Sequence, residues 1–307
     1  MPNNPPKNHH YVPQHFLKAW QSTKDKIFRY KLNTSKAELE VREVSIKKTA
    51  SVNHLYDIEF PDGSFEIESM LVTPEIDQSG HKILEAARNS SILRWGNKKK
   101  KALANYLTCL EARNPEILEA MNIGPELNVL RDKMKKEGIG KSESIDEVID
   151  YFQSSDSIGV LAFAQFLQNE SNPLLGQPFS GGLLNSKVRE FNFESKELIC
   201  SNYPTARWGN YLEDFLYVIA ISPCKAIVYS THADVDVLKA IPDSVRVKLI
   251  NLYTIAKADI AYFRDDSMQE FVAEHIGWAK KLQNLKEQQA YIGKFISNEL
   301  SQLSQFS

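Results

Sequence analysis

Apolar residues recur along the chain at two different periods. Near the N-terminus, Phe16, Leu17 and Trp20 fall at helical spacing and Pro13 suits a first helical turn, which predicts an amphipathic helix within Tyr11 to Trp20. The pattern then alternates. Ile27, Phe28, Tyr30 and Leu32 predict a strand over Lys26 to Leu32, with further strands over Glu40 to Ile46 and Leu55 to Phe60. Pro61-Asp62-Gly63-Ser64 predicts a turn, because Pro presets φ and Gly accepts a positive one.

From about Glu66 the period lengthens. Ile76, Ile83, Leu84 and Ala87 share one face of a helix predicted over Pro74 to Arg88, with Thr73 as its N-cap. Leu103, Tyr106, Leu107 and Leu110 form the stripe of a second helix over Asn97 to Ala112, which Asn114-Pro115 ends. Helices are also predicted within Pro115 to Lys136 and Ile145 to Phe152, a buried apolar stretch over Ser157 to Gln168, and a charged, glycine-bearing loop over Lys135 to Ser144. Asn172 to Asn185, rich in Pro, Gly and Ser, reads as a connector or lid. Val188 to Phe193 and Glu197 to Ser201 are expected to pair as strands around Glu194-Ser195-Lys196. Phe215 to Ile221 and Lys225 to Tyr229 are expected to form a hairpin around Ser222-Pro223-Cys224. Helices follow over Ser244 to Lys257 and Met268 to Leu303; the apolar residues of the last keep no strict heptad. Together these elements predict an α+β fold, predominantly helical with two small antiparallel strand patches.

Composition narrows the class. At 307 residues, with 42% hydrophobic and 25% charged, the chain can build one large domain or two modest ones around a sizeable core. The net charge of -2 supplies no global positive field, so nucleic acid would have to be held by a local patch. Lys98-Lys99-Lys100-Lys101 opens a helix, where the dipole disfavours cations, and an external anion such as a nucleic-acid backbone would relieve that conflict. Cys109, Cys200 and Cys224 lack C-x-x-C spacing, which argues against a disulfide framework or a cysteine-rich zinc site and fits reduced thiols in a cytoplasm. The polar, proline-bearing residues 1–8 read as a disordered arm rather than a signal peptide. No stretch approaches the roughly 18 apolar residues of a membrane span.

The run Asn8-His9-His10-Tyr11-Val12-Pro13-Gln14-His15-Phe16-Leu17-Lys18-Ala19-Trp20 resembles the opening of the bacterial domain-of-unknown-function family 4238, which begins with a His-His-Tyr-Val-Pro-Gln-like motif. Further blocks follow in the family's order. Lys26-Ile27-Phe28-Arg29-Tyr30 is similar to its first strand, and Asn53-His54-Leu55-Tyr56 to the strand leading to its acidic helix. Glu68 and Glu75 resemble its two acidic positions, and Arg113-Asn114-Pro115 its Arg-Ser/Thr-Pro step. Ile221-Ser222-Pro223 is similar to its Leu-Ser-Pro step, and Asn251 to an asparagine in the helix that follows. Cys200-Ser201-Asn202-Tyr203-Pro204 is similar to its Thr-Ser-Asp-Asn-Pro, but Asn202-Tyr203 stands where the family has Asp-Asn. The resemblance covers residues 8–265. It implies a single domain with an N-terminal strand region 8–65, a helical middle 66–170 and a strand-rich part 186–232, followed by C-terminal helices 266–307. It also implies a role in anti-phage defence, without naming a reaction.

The candidate chemistry starts at His9-His10. The pair followed by Tyr-Val-Pro-Gln resembles the catalytic strand of some toxin nucleases of the His-metal finger class. Imidazole suits a general base because its pKa lies near neutrality. In an extended segment His9 and His10 face opposite ways, so one of them can serve, and the family motif aligns His10. The structural alternative is that His10 anchors the first helix while Gln14 bonds to backbone. Glu68 and Glu75 are seven residues apart, which carries a helix through about 700° but also along ~10.5 Å. Both could hold one divalent ion only if the chain bends at Pro74. Asp77 and His81, at i,i+4, could touch one ion but lack a third ligand in sequence. Arg113 could hold phosphate, or pair with Glu68 or Glu75. Ser201 and Asn202 could contact substrate, or simply form a tight turn; no G-x-S-x-G elbow and no phosphate-cradling loop is present.

Two functions follow as expectations. One is a metal-dependent hydrolase acting on nucleic acid or a nucleotide, with His10, Glu68 and Glu75 as catalytic residues and Gln14, Arg113, Ser201 and Asn202 binding substrate. The other is a non-enzymatic sensor that recognises a phage component.

Overall fold

The structure, a computed structural model, describes residues 7–33, 38–60, 63–66, 77–120, 177–209, 214–231 and 236–304, with Ser35 and a few positions between 131 and 146. In the N-terminal part these form β1 (Asn8–His10), α1 (Gln14–Leu17), β2 (Lys26–Asn33), β3 (Glu38–Ser45), β4 (Ser51–Asn53), β5 (Asp57–Phe60) and β6 (Gly63–Glu66). The helices α2 (Gln78–Asn89), α3 (Asn97–Ala112), α4 (Pro115–Ala120) and α5 (Gln177–Asn185) follow. Then come β7 (Lys187–Asn192), β8 (Cys200–Ser201), β9 (Thr205–Gly209), β10 (Phe215–Ser222) and β11 (Lys225–Ser230). The chain continues through α6 (Val237–Ala240), α7 (Asp243–Thr254), β12 (Ile260–Phe263), α8 (Gln269–His275) and α9 (Leu285–Ser304).

Two four-stranded antiparallel sheets organise these elements, in the orders β7-β11-β10-β9 and β3-β2-β12-β8; β1 pairs with β4, and β5 with β6. The fold is a mixed α+β one, which corrects the expectation of a predominantly helical chain with two small strand patches. The strands that the hydrophobic pattern hid are short or polar. Asn8–His10 and Ser51–Asn53 carry almost no apolar residues, and Ile260–Phe263 is too brief to display a period.

The hairpin β10–β11 forms as its sequence predicts, with Ile219 opposite Ile227. Both strands are buried almost throughout, which is why they read as continuous apolar runs. Helix α3 packs beneath β10, where the Tyr217 hydroxyl donates to the Leu107 carbonyl at 3.2 Å, and α7 packs against the same strand. The expected pairing of Val188–Phe193 with Glu197–Ser201 does not occur. Instead β7 pairs with β11, and β8 belongs to the second sheet, with Cys200 opposite Tyr262. The intervening chain turns through the largely exposed residues 194–197 and re-enters the core at Leu198 and Ile199. Leu198 N–H donates to Pro223 O at 2.9 Å, and Asn202 N–H to Ile260 O at 2.9 Å. Burial, not nearness in sequence, selects these partners.

Other boundaries shift for local reasons. The first helix shrinks to one turn, continued by a 3-10 turn over Lys18–Trp20. Part of the expected connector is helix α5, whose first turn accommodates Pro178; residues 172–176 lie outside the described residues. The long C-terminal helix is broken. Gly277 takes φ +67°, its N–H donates to Ile255 O at 2.9 Å, and a 3-10 turn over Trp278–Lys281 leads into α9. Trp278 explains the break: its Nε1 donates to Leu252 O at 2.8 Å and its ring stacks on Tyr291, so the turn is tied to α7. Thr73, Pro74 and most of the predicted helix 145–152 and apolar stretch 157–168 lie outside the described residues. Among the described residues no helix is long and apolar enough to cross a membrane.

The N-terminal segment is tied to the core of this framework. Trp20 Nε1 donates to Leu198 O at 2.6 Å. Arg88 on α2 reaches Ile221 O at the end of β10 with Nε (2.7 Å) and Phe16 O on α1 with Nη2 (3.0 Å). One guanidinium thereby joins α1, α2 and the first sheet.

Candidate functional site

The motif His9-His10 lies in β1, antiparallel to β4, with His9 opposite Val52 and His10 opposite Ser51. Strand alternation sends the two rings to opposite sides. His9 is buried and stacks on Tyr56 at 5.6 Å and 5°, and its Nδ1 accepts the Tyr56 N–H at 3.0 Å. That arrangement locks β1 to the chain beyond β4. His10 turns the other way. It is buried, and among the described residues its Nε2 has no hydrogen-bond partner. Burial lowers its pKa and the Arg113 charge adds to this, while backbone groups of Ile46 and Lys47 and the Asp77 carboxylate oppose them. The net shift favours the neutral ring.

Arg113 closes α3 at its C-cap and is 1% exposed. Its guanidinium is held on three sides. Nη1 donates to Asp77 Oδ1 at 2.7 Å, Nη2 to the His10 carbonyl, and Nε to the Tyr56 hydroxyl at 3.4 Å. The Tyr56 hydroxyl in turn donates to Arg113 O at 3.0 Å. The sequence offered Glu68 or Glu75 as the carboxylate for Arg113. Both lie outside the described residues, and among the described residues Arg113 is ion-paired with Asp77.

Asn114, the next residue, serves two structures. Its Oδ1 accepts the Glu116 N–H at 2.9 Å, capping α4 ahead of Pro115, and its Nδ2 donates to Asn202 O at 3.0 Å. Asn202 Oδ1 accepts the N–H groups of Asp259 (3.2 Å) and Ile260 (3.1 Å). The Ser201 hydroxyl donates to Thr254 O at 2.8 Å and accepts the Tyr203 N–H at 3.0 Å. The structure therefore brings His10, Arg113, Ser201 and Asn202 into one connected network through Arg113-Asn114. The Arg113 guanidinium, the Ser201 hydroxyl and the Asn202 amide oxygen are all engaged inside it. Gln14 stands half-buried at the start of α1.

A second cluster adjoins this network, and sequence reading missed its centre. His15 Nε2 lies 2.9 Å from the Tyr106 hydroxyl, and its ring is 5.3 Å from that of His81. Burial drives the His15 pKa down to about 4; the charges of His81, Arg113 and Arg88 add to the shift and Asp77 opposes it. The i,i+4 spacing of Asp77 and His81 pointed here, but nothing in the sequence placed His15 and Tyr106 beside them. The approach depends on Gly80, where a Cβ would fall 2.2 Å from two ring carbons of Tyr106. Beyond Asn114 lies a cleft of about 250 Å³ lined by Glu111, Asn114, Tyr203, Arg207 and Lys257, among others; Arg207 is paired there with Glu111 at 2.7 Å. Among the described residues no three His, Cys, Asp or Glu side chains form a group able to hold a metal ion.

Compared with known proteins, the chain matches a family model described as "Protein of unknown function (DUF4238)" over residues 8–267. The chain belongs to this family. No curated protein and no solved structure matches it. The DUF4238 match begins at the first residue of β1 and takes in His10, Arg113 and the 201–204 turn. The network described above thus lies wholly within the DUF4238 domain. The three cysteines are free, and Cys109 and Cys200 are buried.

Proposed function

We propose that this DUF4238 chain is an anti-phage defence hydrolase acting on nucleic acid or a nucleotide, with His10 as its general base. One observation carries the reading: His10 Nε2 is buried and has no partner among the described residues. Leaving a buried polar atom unpaired costs about 1–3 kcal/mol, and a fold bears that cost where the group has a use. Its lowered pKa favours the neutral imidazole, the form whose lone pair can take a proton from water. Arg113 fixes the site rather than binding substrate, because its guanidinium donates to Asp77, Tyr56 and the His10 carbonyl. Ser201 and Asn202 hold the turn on which Asn114 rests. Glu68 and Glu75 remain the groups expected to orient His10 or to help hold a divalent ion, and Gln14 stays a substrate contact in this proposal. The defence role rests on the family resemblance.

A reading without turnover is favoured by a different observation. The polar groups of Arg113, Ser201 and Asn202 are spent within the fold, as they would be in a rigid sensor. Incubating the purified chain and its His10→Gln variant with single- and double-stranded DNA, RNA and nucleotides, with and without magnesium or manganese, separates the two. Turnover that disappears in the folded variant supports the hydrolase, and turnover that survives in it removes His10 from the chemistry. Defence against phage that persists in the variant, with no turnover by either protein, supports the sensor.

A further inference from the structure

Helices α2 and α3 present a face whose positive charge no ion pair among the described residues compensates. Lys82 lies on α2, Arg94 in the turn between the helices, and Lys98, Lys99, Lys100 and Lys101 in the first turns of α3. None of these six forms an ion pair among the described residues. Between Asp77 and Ala102 the acidic residues are Asp77 and Glu85. Both are already committed, Asp77 to Arg113 at 2.7 Å and Glu85 to Arg88 at 2.6 Å. Among the described residues, the two acids of this segment thus serve the interior arginines and not the lysines. Lys99 is steadied at this face, with its ammonium 5.7 Å from the centre of the Trp95 ring.

The face is also shaped. An open groove of about 450 Å³ runs between the helices, floored by Ile83, Ala86 and Ala102 and flanked by Ser79, Lys82 and Lys99. Beside the groove, Gly80 lets α2 approach Tyr106 of α3 closely. The same first turn of α2 carries His81, 5.3 Å from His15. The groove and the histidine cluster therefore meet along one turn of helix. In a chain of net charge -2, attraction of a polyanion must come from such a local patch.

We infer that the α2–α3 face is the docking surface for the sugar-phosphate backbone of a nucleic acid, laid along the Lys82–Lys99 groove with one end at the histidine cluster. The choice of nucleic acid rests on the hydrolase reading above, but the test reads binding and not turnover. Fluorescence anisotropy of a labelled oligonucleotide is followed with the full chain over a series of salt concentrations. The chain is compared with Lys82→Glu/Lys99→Glu, with Lys98→Glu/Lys101→Glu, and with Lys286→Glu/Lys294→Glu on α9, which changes the net charge equally. The groove variant and the Lys98/Lys101 variant of the same face are both expected to bind roughly tenfold more weakly or worse, and the slope of log affinity against log salt to flatten by about 0.7–0.9 for each phosphate-contacting lysine removed. The α9 variant is expected to bind as the parent does.

The inference is overturned if the parent does not bind, if the α2–α3 variants bind as well as the parent, or if the α9 variant loses as much. It is overturned too if phosphatidylserine vesicles, and not the oligonucleotide, bind through these lysines. The hydrolase reading fails separately. Lysine-dependent binding with turnover unchanged in His10→Gln keeps the surface and discards the base. Turnover lost in His10→Gln with binding unchanged in the α2–α3 variants does the reverse.

Discussion

Acidification loads a proton onto His15 in the unfolded chain long before the folded one accepts it. The ordinary histidine value is 6.5, and in the fold burial holds His15 near 4, with His81, Arg113 and Arg88 adding positive charge around it. As pH falls through 6.5 the unfolded state binds a proton that the folded state refuses, so stability drops with each step. The contribution of His15 is therefore fully present above about 6.5 and lost progressively towards 4. At roughly 1.4 kcal/mol per unit, the gap amounts to about 3 kcal/mol. Urea unfolding at several values between about pH 7.5 and pH 4.5 would read it, with His15→Gln as comparison. The glutamine can keep a hydrogen bond to Tyr106 but does not titrate. His10 and His275, both also lowered by burial, are present in each protein and cancel in the difference. The parent is expected to lose about 2–3 kcal/mol more than the variant over this range. Parallel curves, or a His15 resonance titrating near 6.5, would refute the reasoning.

Arg113→Met should destabilise the protein by about 3–5 kcal/mol in urea unfolding, because Asp77 loses its buried cation and the His10 carbonyl its donor. Arg113→Lys restores the charge but not the planar fork and should recover only part of the loss; a cost below about 1 kcal/mol for either would show that the network is dispensable. Gly80→Ala should cost about 1–3 kcal/mol through overpacking against Tyr106. It should also weaken the bond from Tyr106 to His15, so that the His15 titration moves in the variant's NMR spectrum.

Much of the local structure could be read from the sequence, and much of its assembly could not. Helix α3 begins and ends where its apolar stripe and Asn114-Pro115 place it, and the β10–β11 hairpin forms around Ser222-Pro223-Cys224. Those elements are long, strongly patterned and locally closed. The pairing of β12 with both β2 and β8 joins segments far apart in sequence, and only the shape of the core selects it. The candidate site divides in the same way. The His9-His10 motif does fall in an extended strand, as the alternation of the two rings requires. The partners Arg113 and Asp77, and the His15–Tyr106 contact, come from three helices whose packing no spacing encodes. Glu68 and Glu75, which the family resemblance singled out, lie outside the described residues.

The reading of His10 as a base is tested most directly by single-site turnover. Hydrolysis of nucleic acid and nucleotides is measured for the purified chain and for His10→Gln, at matched folded fraction, from about pH 5 to pH 9. If His10 takes the proton from water, the variant loses roughly 10²–10⁴-fold in rate, and the acidic limb of the parent's pH profile, set by a group titrating below 6.5, disappears. A folded His10→Gln variant with the parent's rate and the parent's acidic limb would contradict it.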